Sequence, residues 1–515
     1  MPRLDFDVLL LIFNSLLRDV HGASLLPAQS QTYLKDFAAL ARTCRAFCNP
    51  ALDILWSTQV SLVPFMSTFP RDLWEFLTRN ITSNEWERPL IYARRIKRLA
   101  LGRHEVPLAS LPTEAHHTTL CSLLSAFPSE LLFPNLSELK IGSASWKFGA
   151  HFQRFEFCLL RLINPKFRLL DFASDPVLNP NLSSIVDSIF KTCCELETLK
   201  IHVDHWRRSE TLHMTQLDQL RRLRSLRISG EWASVSPDAL LRIGSLENLE
   251  DLNIHLLDNA YADISLWQGF PGDLFKSLRK LTLNTFALEY GDALIYSISS
   301  TRLEEISLNT YRKQHHTSLH NTFKSLARQS LHFPNLRSLI VSLPTLYRAE
   351  ELISPANAPS IICPLLSGSF RALRTLEIKL TEKFPVPVPL DISEIPDALP
   401  FLEVLKLPYL VAEGMTLHSV LQTARRCKFL RVLGVDFNGT VINEPSEGEE
   451  PATTLRVLKV GRSPIDEPND VATFLQRWFP NLTRVKPSSL SEWEEEWEEV
   501  NDLVTSARRG DTDRG

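Results

Sequence analysis

Nothing in this chain of 515 residues approaches the roughly 18 consecutive apolar residues that a membrane-spanning helix requires. Acidic Asp5 and Asp7 stand directly before the short apolar run Val8 to Phe13, where a secretory leader would carry a basic region and a longer apolar core. Cysteine is sparse. Eight residues, with only Cys193 and Cys194 adjacent, make no disulfide framework and read as small buried apolar side chains. These absences point to a reducing, intracellular setting, cytoplasmic or nuclear, in which the sequons at Asn80, Asn135, Asn181, Asn438 and Asn481 are chance matches. An excess of charge of one sign is missing as well: a formal net charge of −4 names neither nucleic acid nor a membrane surface as partner.

Motifs that carry chemistry are also lacking. There is no GxxxxGKS/T, GxGxxG or GxSxG, and no CxxC pair of the kind that builds a zinc site; Cys44 and Cys48 form CxxxC on an apolar helical pattern. The adjacent pairs His116–His117 and His315–His316 would point to opposite faces of a strand. His202, Asp204 and His205 have the spacing to share an ion, although a solvated loop is the simpler reading. Basic runs at Arg94, Arg95, Lys97 and Arg98 and at Arg221, Arg222, Arg224 and Arg227 read as solvated faces alternating with buried leucines. The expectation is a protein that is not an enzyme and needs no metal or cofactor.

What the chain does have is a repeat. Some version of LxxLxL occurs fourteen times, with first positions at Ile96, Leu136, Phe167, Leu196, Leu223, Leu249, Leu278, Leu303, Leu336, Leu373, Leu402, Leu430, Leu455 and Leu482. Most steps fall between 25 and 37 residues, the period of leucine-rich repeats that carry a helix in each unit. One such unit cannot bury its own apolar face, so stability has to come from stacking into a curved solenoid. Helical stripes lie between the motifs: Val186, Ile189, Phe190 and Cys193; Leu240, Ile243 and Leu246 after Ser236–Pro237; Leu319, Phe323 and Leu326; Val420, Leu421 and Ala424; Val471, Phe474, Leu475 and Trp478. FPNL recurs at Phe133, Phe333 and Phe479. The asparagine that often follows LxxLxL and ties neighbouring turns is mostly absent, Asn438 alone sitting at that offset, which predicts an irregular array.

Residues 1–56 have a different texture: helical patterns at Leu9, Ile12, Phe13 and Leu16, from Asp36 to Phe47, and from Asn49–Pro50 to Trp56. The runs LDFDVLLLIFNSL and FAALARTCRAFCNPALDILW resemble an F-box, the helical module that docks a substrate receptor onto the Skp-type adaptor of a cullin–RING ubiquitin ligase. The resemblance covers residues 4–56. It implies that Leu4, Val8, Leu9, Ile12, Leu16, Leu40, Cys44 and Phe47 divide between the module's own core and the adaptor groove. F-box modules followed by leucine-rich repeats form a known receptor class, so the resemblance implies a substrate-recognition subunit with the adaptor and cullin complex as one partner and a protein substrate as the other. A bare helical cap on the first repeat is the plainer alternative.

The fold class expected is α/β: a three-helix F-box-like unit (1–56), a linker or cap (57–95), an irregular leucine-rich-repeat solenoid with strands on the concave face and helices on the convex face (96–487), an acidic helix with Trp493 and Trp497 as a C-terminal cap (488–504), and a disordered tail (505–515). Segments 384–396 and 443–452 read as solvated insertions. Strand alternation nominates Lys200, Arg227, Asn253, Thr282, Ser307, Glu377, Lys406, Val432 and Val457 as lining the face that binds a protein. The apolar turn at Val404, Val432 and Val457 beside Gly434 marks the last third as the region to watch.

Overall fold

A computed structural model of the chain describes residues 27–70, 81–101, 125, 127, 131–141, 162–174, 182–203, 214–230, 235–256, 271–311, 314–344, 346–347, 362–380, 392, 394–407, 415–446, 448–488 and 491–512. It divides into two compact units, Met1–Asn248 and Leu249–Gly515.

In the first unit the strands are β1 (Thr58–Gln59), β2 (Arg98–Leu101), β3 (Glu138–Ile141), β4 (Leu169–Ser174), β5 (Thr198–Val203) and β6 (Ser225–Ser229). The second holds β7 (Asp251–Leu256), β8 (Lys280–Thr285), β9 (Glu305–Thr310), β10 (Ser338–Leu343), β11 (Thr375–Leu380), β12 (Val404–Leu407), β13 (Val432–Val435), β14 (Val457–Gly461) and β15 (Arg484–Pro487). Within each unit the strands follow chain order, each parallel to the next.

Each of β2 to β15 starts at the third residue of one LxxLxL copy. The reason is side-chain period: positions 4 and 6 face inward from the strand and position 1 turns in just before it. Leu196, Leu199 and Ile201 are fully buried, as are Leu278, Leu281 and Leu283. Neighbouring repeats are stitched at the strand entrance. The N–H groups of Ser137 and Glu138 both donate to Lys97 O (2.8 and 3.1 Å), and those of Arg374 and Thr375 both donate to Arg337 O (2.8 and 2.9 Å). A leucine-rich-repeat fold is the result: a parallel strand and a return per unit, closed only by its neighbours.

The returns carry the helices that the stripes predict: Leu182–Thr192, Pro237–Gly244, His316–Arg328, Leu417–Arg426 and Pro468–Trp478. Ser236 caps the second of these, its Oγ accepting from Ala239 N at 3.1 Å.

Several boundaries differ from the sequence reading. Helix α1 runs Pro27–Thr43, beginning nine residues before Asp36, and α2 runs Arg45–Ser57, with Pro50 inside it and not at its first turn. Cys44 stands between them in extended conformation (φ −156°, ψ 162°) and is exposed, so it does not share an apolar helical face with Cys48. Cys194 and Cys363 are exposed too, while among the described residues Cys193 and Cys427 are the buried thiols. Strand β1 has no LxxLxL; it follows α2 without a linker and pairs with β2, and in the segments that follow Phe65, Phe69, Trp86, Phe127 and Phe133 form a chain of ring contacts. Trp74 and Phe76 lie outside the described residues.

Segment 443–452 is mostly exposed, as a solvated insertion would be, and is anchored at two points. Glu449 is ion-paired with Arg425 and accepts from Gln422 Nε2 at 3.0 Å, while Ala452 N donates to Trp478 O at 2.8 Å. The C-terminal helix extends from Glu494 to Thr512, so the tail is helical well beyond residue 504.

Candidate interaction surface

The open face of each sheet displays positions 3 and 5 of the motif as rows running across the strands. In the first unit, Lys200 of β5 stands in register with Arg227 of β6, with Asp171 of β4 on the other side of Lys200. Arg227 is exposed, whereas Arg98 is ion-paired with Glu138 at 2.9 Å. Of the basic runs, Arg95 is ion-paired with Asp53 and donates to Asn49, and Arg222 is ion-paired with Glu195. Those cations are paired within the chain.

In the second unit, position 5 places Asn253, Thr282, Ser307, Ile340, Glu377, Lys406, Gly434, Lys459 and Lys486 in one unbroken row. Position 3 aligns Val404, Val432 and Val457, all half-buried. The nominated residues therefore separate into two zones. Around β7 to β9 the face is polar and bonded to itself: Asn309 donates to Asn284 Oδ1 at 2.9 Å, and Asn284 donates to Asn253 Oδ1 at 3.2 Å. Lys280 and Glu305 form an ion pair of 2.9 Å across β8 and β9. Around β12 to β15 the face is an apolar stripe beside a basic row.

Glu377 marks the border. It is largely buried and takes Lys406 Nζ at 3.0 Å, with Lys379 Nζ at 3.9 Å. Beyond it, burial and the ammonium group of Lys406 hold the Lys459 amine below the usual lysine range against the pull of Glu377, with Lys486 and Lys379 adding to the depression. Gly434 separates two of these lysines in the row. A Cβ there would stand 3.3 Å from both Lys406 Cγ and Lys459 Cβ, so the glycine keeps a notch open between their stems. Lys459 and Lys486 were not singled out by sequence reasoning; the signal was that LRVLGV, LRVLKV and LTRVKP contain cations and no carboxylate.

No protein-family model and no curated protein matches the chain. Among solved structures it is similar to that of the yeast Rad7–Elc1 complex, at 14% identity over 64% of this chain and 80% of that one, with a TM-score of 0.30. A leucine-rich-repeat protein of Leptospira interrogans is similar at 13% identity over 81% of this chain and 95% of that one, with a TM-score of 0.30.

At the other end, Leu4, Val8, Leu9, Ile12 and Leu16 lie outside the described residues. Leu40 and Phe47 pack against the small core of Phe37, Ala51 and Ile54 between α1 and α2, joined by Ala41 and Leu55. Of the described adaptor candidates only Cys44 is exposed. Trp56 stacks on Tyr92 with ring centroids 4.4 Å apart, a second tie from α2 to the segment before β2.

Among the described residues no helix is long and apolar enough to cross a membrane, and no group of three His, Cys, Asp or Glu side chains is placed to hold a metal ion. Asp204 and His205 lie outside the described residues; His202 Nδ1 is 3.0 Å from Ser229 Oγ.

Sequence reasoning also missed a set of asparagines. Asn135, Asn248, Asn335 and Asn481 each precede the first motif position, and each donates from Nδ2 to a carbonyl two residues before the preceding motif: Arg94, Arg221, Thr301 and Thr453, at 2.6 to 2.9 Å. Asn438, at the offset where a tie was sought, makes one through its backbone, the N–H donating to Met415 O of the preceding turn at 2.8 Å, while its side chain accepts locally from Thr440 N at 3.0 Å. FPNL was the visible trace of this ladder.

Proposed function

We propose that the chain is the substrate-recognition subunit of a Skp–cullin–F-box ubiquitin ligase, its N-terminal helices docking the adaptor and its open sheet face holding a protein substrate. The observation that carries the reading is a helical module, α1 and α2, running directly into the first strand of a repeat array whose open face has room for a polypeptide. In this role the chain performs no bond chemistry and uses no cofactor. It supplies proximity, raising the effective concentration of substrate lysines near the transfer site.

The second reading, an interaction scaffold with no ligase connection, draws on the same module. Leu40 and Phe47 are used in the internal core, and Asp53–Arg95 and Trp56–Tyr92 tie α2 to the array as a cap would be tied. Co-purification of the full chain with a recombinant Skp-type adaptor separates the two. Retention by the wild type and loss in Ile12→Asp supports the ligase role; no retention by either leaves the scaffold.

A further inference from the structure

The last strands of the array combine three features that the rest of the described surface does not. Cations are in excess: Lys406, Arg431, Arg456, Lys459, Arg484 and Lys486 stand on or beside β12 to β15, in a chain whose net charge is −4. Of the carboxylates next to them, Glu377 is engaged by Lys406 at 3.0 Å, Glu403 by Arg374 at 2.7 Å, and Asp436 is buried. Among the described residues Arg431, Arg456, Lys459, Arg484 and Lys486 make no ion pair, although elsewhere on the same face opposite charges meet across strands, as Lys280 meets Glu305. Alongside the cations runs the apolar row of Val404, Val432 and Val457, and the Gly434 notch opens between Lys406 and Lys459.

We propose that the open face of β12 to β15 takes an extended acidic segment of a partner protein, with carboxylates over Lys459 and Lys486 and apolar side chains along Val404, Val432 and Val457. Strands about 4.8 Å apart bring a new pair of side chains under the ligand at each step, so an extended segment crossing them meets charge on one side and hydrocarbon on the other. An alternating acidic and apolar peptide matches that two-sided track. A nucleic acid backbone would match the charge but leave the valine row unused, and these rows offer no aromatic side chain for base stacking. Lys459, whose charge is disfavoured first by burial and then by the Lys406 ammonium, gains most when a carboxylate arrives beside it. The inference rests on the substrate-receptor reading only for whose segment it is.

The test uses the full-length protein and a short fluorescein-labelled peptide of alternating glutamate and valine, with a lysine–valine peptide and oligothymidine as comparisons, read by fluorescence anisotropy. The glutamate–valine peptide is expected to bind, more weakly as salt rises. Affinity is expected to fall about tenfold or more in Lys459→Glu/Lys486→Glu and several-fold in the milder Lys459→Gln/Lys486→Gln, each first confirmed as folded by circular dichroism. Lys191→Glu/Lys324→Glu, at two exposed lysines on return helices, is expected to leave binding unchanged. Equal binding of the two peptides, or indifference to both double variants, overturns the proposal. So does tighter binding of oligothymidine that is lost in the same variants, which would assign the face to nucleic acid. Adaptor retention is measured on the same preparations: adaptor held with no acidic peptide bound sinks this inference alone, and peptide bound with no adaptor held removes only the ligase role.

Discussion

Asp292 lies in the helix Leu288–Ser297, where burial pushes its carboxyl up to about 7, despite the Thr322 hydroxyl, and Glu289 adds to the push. An unfolded aspartate titrates near 3.8, so between about pH 4 and pH 7 the folded chain keeps a proton that the unfolded chain releases. Stability therefore falls as pH rises through that window and levels off above it. Asp292→Asn lacks this slope. It is expected to melt close to the wild type near pH 4 and above it near pH 8, and parallel melting curves across the series would show that the burial is relieved in solution. This carboxylate was not legible in the sequence, because nothing in LEYGDALIYS separates a buried aspartate from a solvated one. The leucines were legible, because fourteen copies average out local exceptions. The asparagine ladder was half legible: a tie between turns was sought after the motif, while Asn135, Asn335 and Asn481 make it from just before.

At the scale of elements, the C-terminal helix Glu494–Thr512 closes the end of the second unit. Trp497 is fully buried, donates from Nε1 to Ser463 O at 2.8 Å and meets Phe437 edge-on at 5.8 Å between centroids, with Val500 and Val504 also buried. Asn501 Oδ1 accepts the Val485 N–H at 3.0 Å, occupying a donor on β15, the last strand of the row. Trp497→Ala removes the ring and strands the Ser463 carbonyl, a loss of about 3–5 kcal/mol by the usual cost of a large buried aromatic. Chemical denaturation should show a lower midpoint, with 8-anilinonaphthalene sulfonate binding as the last strand is uncovered. An unchanged midpoint would make the helix an ornament. Trp493 and Trp497 announced this helix by their spacing, but its end at Thr512 was hidden because a polar, charged final stretch carries no apolar stripe. The start of α2 was hidden for the opposite reason: Asn49–Pro50 imitates a helix start inside a helix that begins at Arg45. Strand β1 has no motif and, among the described residues, pairs with β2 alone, so pairing itself defines it.

At the scale of the whole molecule, within each unit a repeat is paired with the one before and the one after, and energy is expected to travel the same way. Leu433 of β13 is fully buried and in register with Leu405 and Leu458 of the flanking strands. Leu433→Ala removes apolar volume from the stack between its two neighbouring strands, at a cost of about 2–5 kcal/mol. If coupling is nearest-neighbour, hydrogen exchange should quicken most in β12 to β14, less in β11 and β15, and not at all in β3 to β5 of the first unit. Equal loss of protection in both units would mean that the array unfolds as one cooperative body. The distinction bears on function: nearest-neighbour coupling would let strands β12 to β15 shift to fit a ligand while the helices at the N-terminal end keep their geometry, and full cooperativity would make every ligand at one end felt at the other.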